Sequence, residues 1–122
     1  MITLDRLRKI VQDGKEIIVS NFSGLKEDQM IELVSKSRTM VIREGTPKRM
    51  LAIFNSKTFI TPKFMRHIET DQLESIPFQI KQAVVGVSET QKTIMMGYNM
   101  FRKRSVRSFE TEKQAIDYLL ED

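Results

Sequence analysis

Apolar positions along this chain recur with two different periods, and a turn residue stands wherever the period changes. In "KIVQDGKEIIV" two runs rich in β-branched residues flank Asp13-Gly14. An Asp-Gly pair accepts the positive φ angles of a two-residue hairpin loop, so the segment predicts a β-hairpin. The first arm stays open to a second reading, because Leu4, Leu7, Ile10 and Val11 also fit helical spacing. After "NFSG", the stretch "LKEDQMIELVSKSRTMVI" sets Met30, Ile31, Val34, Ser37 and Val41 along one side of a helix. Glu27 and Asp28 put negative charge in its first turn, where the helix dipole favours it, and Gly45 and Pro47 end it.

"RMLAIF" and "AVVGV" are apolar without alternation, which suits strands covered on both faces of a parallel sheet. Thr61-Pro62 between them reads as a helix start: threonine caps free amides, and proline at the first helical position forfeits no hydrogen bond. That helix should run to about Leu73, with Met65, Ile68 and Leu73 inward. Ser88-Glu89-Thr90-Gln91 matches a capping box opening a helix through Phe101, and Thr111-Glu112-Lys113-Gln114 a second, opening a helix with Ala115, Ile116, Leu119 and Leu120 on one side. "SVRSFE" between them alternates as a short strand. The predicted order is β β α β α β α β α: an α/β fold with a mixed, mostly parallel sheet, an N-terminal hairpin at its edge and about four helices, forming one domain over residues 1–122.

Composition narrows the chemistry. The chain is 40% hydrophobic and 30% charged, as expected of an ordinary folded protein, and contains no cysteine. Disulfides, thiolate metal sites and cysteine nucleophiles are thereby excluded. The N-terminus is broken by charges every few residues and no later stretch approaches about 18 apolar residues, so a cytoplasmic protein without a membrane span is expected. The one histidine, His67, has no ligand partners and is placed on the solvent side of its helix, and the carboxylates are scattered over helix faces. No catalytic residue, metal or cofactor is expected, and the protein reads as a non-enzyme. A net charge of +4 spread over 20 basic and 16 acidic residues is a solubility feature.

The segments "NFSGLKEDQM", "AVVGV" followed by a capped helix, and "RSFETEKQAIDYLL" together resemble the STAS domain superfamily of sulfate-transporter and anti-sigma-factor-antagonist domains, in particular a branch of small stand-alone bacterial proteins of unsettled function. The resemblance implies a small α/β domain with a mixed sheet, no catalysis of its own, and regulation through protein binding. In the anti-sigma-factor antagonists a serine at the start of the helix after the central strand is phosphorylated by a partner kinase. This chain departs from that pattern, since Pro62 falls on the acceptor position and cannot be phosphorylated.

Three groups of candidate residues follow. The turn residues Asn55, Ser56, Thr58 and Thr61 form the expected partner-binding or switch surface, with Thr61 also explicable as a helix cap. Met65, Met95, Met96 and Met100 mark an apolar pocket for a second reading, a carrier or sensor of a small lipid-like ligand. Against it, Ile94, Tyr98 and Phe101 can be core and Met95 an isolated exposed residue. Arg102, Lys103, Arg104 and Arg107 form a basic patch for phosphate contact, equally readable as a solvated helix end. The expected partner is another protein, then an apolar small molecule, with nucleic acid last and a homodimer left open.

Overall fold

Asp13 and Gly14 both take positive φ, 54° and 74°, and join β1 (Leu7–Gln12) to β2 (Lys15–Asn21) as an antiparallel hairpin. The two readings of the first arm divide there: Leu4–Arg6 makes one turn of 3-10 helix and the strand begins at Leu7. The computed structural model describes residues 4–71, 78–97 and 106–121. Within them follow α1 (Glu27–Glu44), β3 (Lys48–Ile53), α2 (Pro62–Asp71), β4 (Gln79–Val85), α3 (Glu89–Gly97), β5 (Val106–Phe109) and α4 (Glu112–Leu120). The strands lie in the order β1-β2-β3-β4-β5, and every pair after the hairpin is parallel. This is the element order and the mixed sheet that the apolar pattern predicts.

Each strand sends alternate side chains to opposite faces. One face packs Phe22, Phe54, Val84 and Val106 against Met30, Leu33 and Val34 of α1, Phe64, Met65 and Ile68 of α2, and Met95 of α3. The other packs Ile17, Val19, Leu51, Ala83 and Val85 against Ala115 and Leu119 of α4. Gly45, at φ 62°, terminates α1 in the left-handed conformation, as the sequence indicates. Leu73, the expected inward end of α2, and Tyr98 to Phe101, the expected end of α3, lie outside the described residues.

At the amino end of β3 sits a charged knot that the apolar pattern does not announce. Lys48 has no solvent exposure, and its ammonium donates to Glu16, to Glu44 Oε1 at 2.7 Å and to Thr46 Oγ1 at 2.8 Å. Lys9 reaches the same Glu44 oxygen at 2.9 Å. Burial opposes charge on Lys48, but its hydrogen bonds to Glu16 and Glu44 and their negative charges outweigh it and raise its pKa. The hydrogen bonds from Lys48 and then Lys9 hold the Glu44 carboxyl down at about 2.

Candidate functional site

The carboxyl end of the same strand carries the candidate turn. Strands β2, β3 and β4 end in step there: Phe22 N–H donates to Ile53 O at 2.7 Å and Phe54 N–H to Val85 O at 2.8 Å. Beneath the turn, the Phe22 and Phe54 rings stack with centroids 5.0 Å apart, and Phe64 meets Phe22 edge-on at 5.6 Å. The chain then leaves β3 over an aromatic floor.

Above that floor the turn is closed by its own side chains. Asn55 Oδ1 accepts from Lys57 N–H at 3.0 Å and from the Thr58 hydroxyl at 2.9 Å, while Thr58 N–H donates to Asn55 O at 3.0 Å. Thr58 is buried, and its Oγ1 accepts from Asn55 N–H at 3.3 Å and Gly24 N–H at 3.4 Å. Thr61 Oγ1 accepts from Phe64 N–H at 3.1 Å, the capping bond its position indicates, and donates to Glu27 of α1. Asn55, Thr58 and Thr61 are thus brought together as a frame, with their polar atoms turned inward. Ser56, Lys57 and Phe59 are left exposed, Phe59 by 81%.

Two residues outside the predicted set complete the frame. Gln91 is buried; its Nε2 donates to Asn55 O at 2.9 Å and Thr58 O at 2.7 Å, while its Oε1 accepts from Ser88 N–H at 2.7 Å. The sequence marks Gln91 as half of a capping box, and the same amide also latches α3 onto the turn. Gly86, at φ 84°, runs so close to the end of β3 that a Cβ there would stand 2.0 Å from Phe54 O. An isolated glycine following an apolar strand is the available signal of such an approach.

The Gln91 latch also sets the rotation of α3, which corrects one sequence expectation. Met95, one turn on, is fully buried, and Ile94 is 36% exposed, the reverse of the reading that put Ile94 in the core and Met95 outside. His67 is corrected too: it is half-buried between α1 and α2, with Nε2 3.1 Å from Ser35 Oγ, because its place in α2 turns it toward α1.

Of the methionine set, Met65 and Met95 are core residues, Met96 is 54% exposed and Met100 lies outside the described residues. A cavity of about 60 Å³ does lie between α1, α2 and the sheet, but Met50 lines it and Met65, Met95 and Met96 do not. Of the basic set, Arg102, Lys103 and Arg104 lie outside the described residues. Arg107 is exposed on β5, with its guanidinium 5.4 Å from the Tyr118 ring centre, beside Lys81 at 4.3 Å. It is spent on a cation–π contact at the sheet surface.

The turn borders an open polar cleft of about 650 Å³, lined by Ser56, Gly86, Ser88, Lys92, Glu110 and Gln114 among others. Its position follows from topology. After β4 the chain goes to the α1–α2 face as α3, whereas after β5 it goes to the opposite face as α4, so the two helices part above the carboxyl ends of neighbouring strands. Such divergence opens a crevice in α/β sheets and is where their binding sites gather. No helix among the described residues is long and apolar enough to cross a membrane.

Comparison with known proteins places the fold. An anti-sigma-factor antagonist (STAS) domain protein from Planctomyces limnophilus superposes with a TM-score of 0.64 at 11% identity, over 94% of this chain and 98% of the other. An uncharacterised protein of the DUF3478 family with a SpoIIAA-like fold, from Shewanella loihica PV-4, gives 0.53 at 14% identity, over 93% and 91%. No family model matches the sequence, and no curated protein matches it. The chain has the STAS-like fold that its sequence motifs suggest.

Proposed function

We propose that this protein is a non-catalytic interaction module that binds another protein through the turn after β3, with Phe59 as the anchor and Ser56 and Lys57 beside it. One observation carries the reading: the backbone of the turn is fixed from α1, α3 and the Gly24 loop, while its 81% exposed phenylalanine is held out from that frame. A preformed surface loses little conformational freedom on binding, and an aromatic anchor at its centre is the usual seat of affinity. The STAS-like fold supports the reading by analogy of fold, which alone does not assign function.

The finer version is a switch at Ser56. Among the three hydroxyl residues of the turn, Thr58 is buried and Thr61 is tied to Glu27 and Phe64, whereas Ser56 is exposed on the rim of the cleft. A phosphate there adds about 1.5 to 2 negative charges to the proposed contact surface. The carrier reading draws no support from the cavity under α1, whose roughly 60 Å³ falls far short of an acyl chain.

The test is affinity capture from native cells, quantified against variants. Phe59→Ser should weaken retention of the specific partner at least tenfold, about 1.4 kcal/mol, without changing the fold. Ser56→Asp should weaken it and Ser56→Ala should not. Equal retention by all variants contradicts the assignment.

A further inference from the structure

The sheet ends at β1, and among the described residues no strand lies beyond it. β1 is six residues long and pairs with β2 in an unbroken register. A two-residue hairpin loop is flanked by a hydrogen-bonded pair, here Gln12 and Lys15, and in an antiparallel ladder such pairs recur at every second residue. Arg8, Ile10 and Gln12 therefore give their backbone groups to β2, whereas Lys9 and Val11 turn theirs outward.

Proteins keep foreign strands off such an edge with proline, a bulge or free charge. β1 contains no proline and no bulge, and its two cations are drawn aside within the chain. Lys9 Nζ bonds Glu44 Oε1 at 2.9 Å on the α1 side, and the Arg8 guanidinium stands 4.0 Å from Glu112 Oε1 on the α4 side. The remaining edge is apolar: Val11 is 64% exposed, and Ile10 is half-buried against the α4-side core.

The residue pattern of β1 fits a second copy of itself. A closed two-fold pairing of identical strands is antiparallel and sets one residue opposite its own copy. Centred on Arg8 or Lys9, it would put like charges face to face. Centred on Val11, it would set Lys9 opposite Asp13, which has left the extended conformation at φ 54°. Centred on Ile10, the outward groups of Lys9 and Val11 in each copy meet those of Val11 and Lys9 in the other. Arg8 then faces Gln12, and two isoleucines meet on the axis.

We infer that β1 is a homodimer interface, joining two copies of this chain edge to edge into one continuous sheet with Ile10 on the two-fold axis. The turn after β3 lies away from this edge, so the inference stands or falls independently of the protein-binding reading.

Sedimentation of the full chain over about 1 μM to 1 mM, the range of weak association, should show monomer passing into dimer. Val11→Pro removes an outward N–H and none of the bonds to β2, so it should hold the chain monomeric with its circular dichroism unchanged. The chain has no cysteine, so single introduced ones read the register directly. Ile10→Cys should oxidise to a linked dimer at least about tenfold faster than Val11→Cys. Opposite residues of a non-hydrogen-bonded pair stand about 4.5 Å apart at Cα, whereas diagonal ones lie at about 7–8 Å, outside the reach of a disulfide. Should Val11→Pro fail to fold, the cysteine comparison decides. Monomer at every concentration, a dimer that persists in folded Val11→Pro, or equal cross-linking at the two positions overturns the inference.

Discussion

The two ends of β3 are both tied down by side-chain hydrogen bonds, yet they present opposite surfaces to solvent. At the amino end the ties are ionic: Lys48 draws Glu16, Glu44 and Thr46 around itself, and with Lys9 the charges satisfy one another. At the carboxyl end they are mostly neutral bonds, from Asn55, Thr58 and Gln91 to backbone groups and between Asn55 and Thr58, with Thr61 tied to the Glu27 carboxylate, and the side chains not needed for closure, Ser56, Lys57 and Phe59, are exposed. A closed ion cluster consumes its polar groups and offers a partner nothing, whereas a backbone frame made by every second or third side chain frees those between. On the proposed function, stability and presentation are separated to opposite ends of one strand.

Substitutions should break this contrast in graded fashion. The largest effect belongs to Gly86→Ala, where a β-carbon would collide with the Phe54 carbonyl in a conformation already unfavourable for L-residues. A loss of about 3–5 kcal/mol is expected in urea unfolding. Gln91→Ala comes next: the buried Thr58 carbonyl loses its donor, the Asn55 carbonyl keeps only Thr58 N–H, and α3 loses half its capping box, for about 2–3 kcal/mol. It should also speed hydrogen exchange at the Thr58 amide more than at amides of β2. Lys48→Met, which leaves two carboxylates facing each other, should cost about 2 kcal/mol, moderated because both carboxylates keep contact with water.

The Lys48 knot also predicts an acid response. Glu44 titrates near 4.5 unfolded and near 2 folded, so the folded state favours its ionised form. Its contribution is complete above the unfolded value and is lost as pH falls from about 4.5 toward 2. Stability measured across that window should decline in the wild-type protein and decline less in Lys48→Met. The smallest effect is Phe59→Ser, expected to change stability by less than about 0.5 kcal/mol because the ring is already in water.

What the sequence made legible was local. The Asp13-Gly14 hairpin, the Gly45 stop, the Thr61 cap and the Thr111 box each depend on residues within a few positions, and each stands in the structure as read. What stayed hidden joins residues about thirty apart. Lys48 finds Glu16 at a separation of 32 residues and Gln91 finds Thr58 at 33, pairings that only the parallel register of the strands creates. The same distance effect misplaced Met95 and His67, whose orientations are set by partners on other elements. For the candidate turn, sequence named three residues whose side chains close it, Asn55, Thr58 and Thr61. It missed Phe59, since an exposed aromatic beside Ile60 reads as one more apolar position until burial separates them.

The most direct measurement is site-specific photocross-linking in native cells, with a photoreactive phenylalanine at position 59 and a control at position 11, whose Val11 is 64% exposed at the sheet edge. One discrete protein adduct is expected from position 59, absent from position 11 and lost when Gln91→Ala releases the turn. Identical adducts from both positions, or none from position 59, would contradict the protein-binding reading.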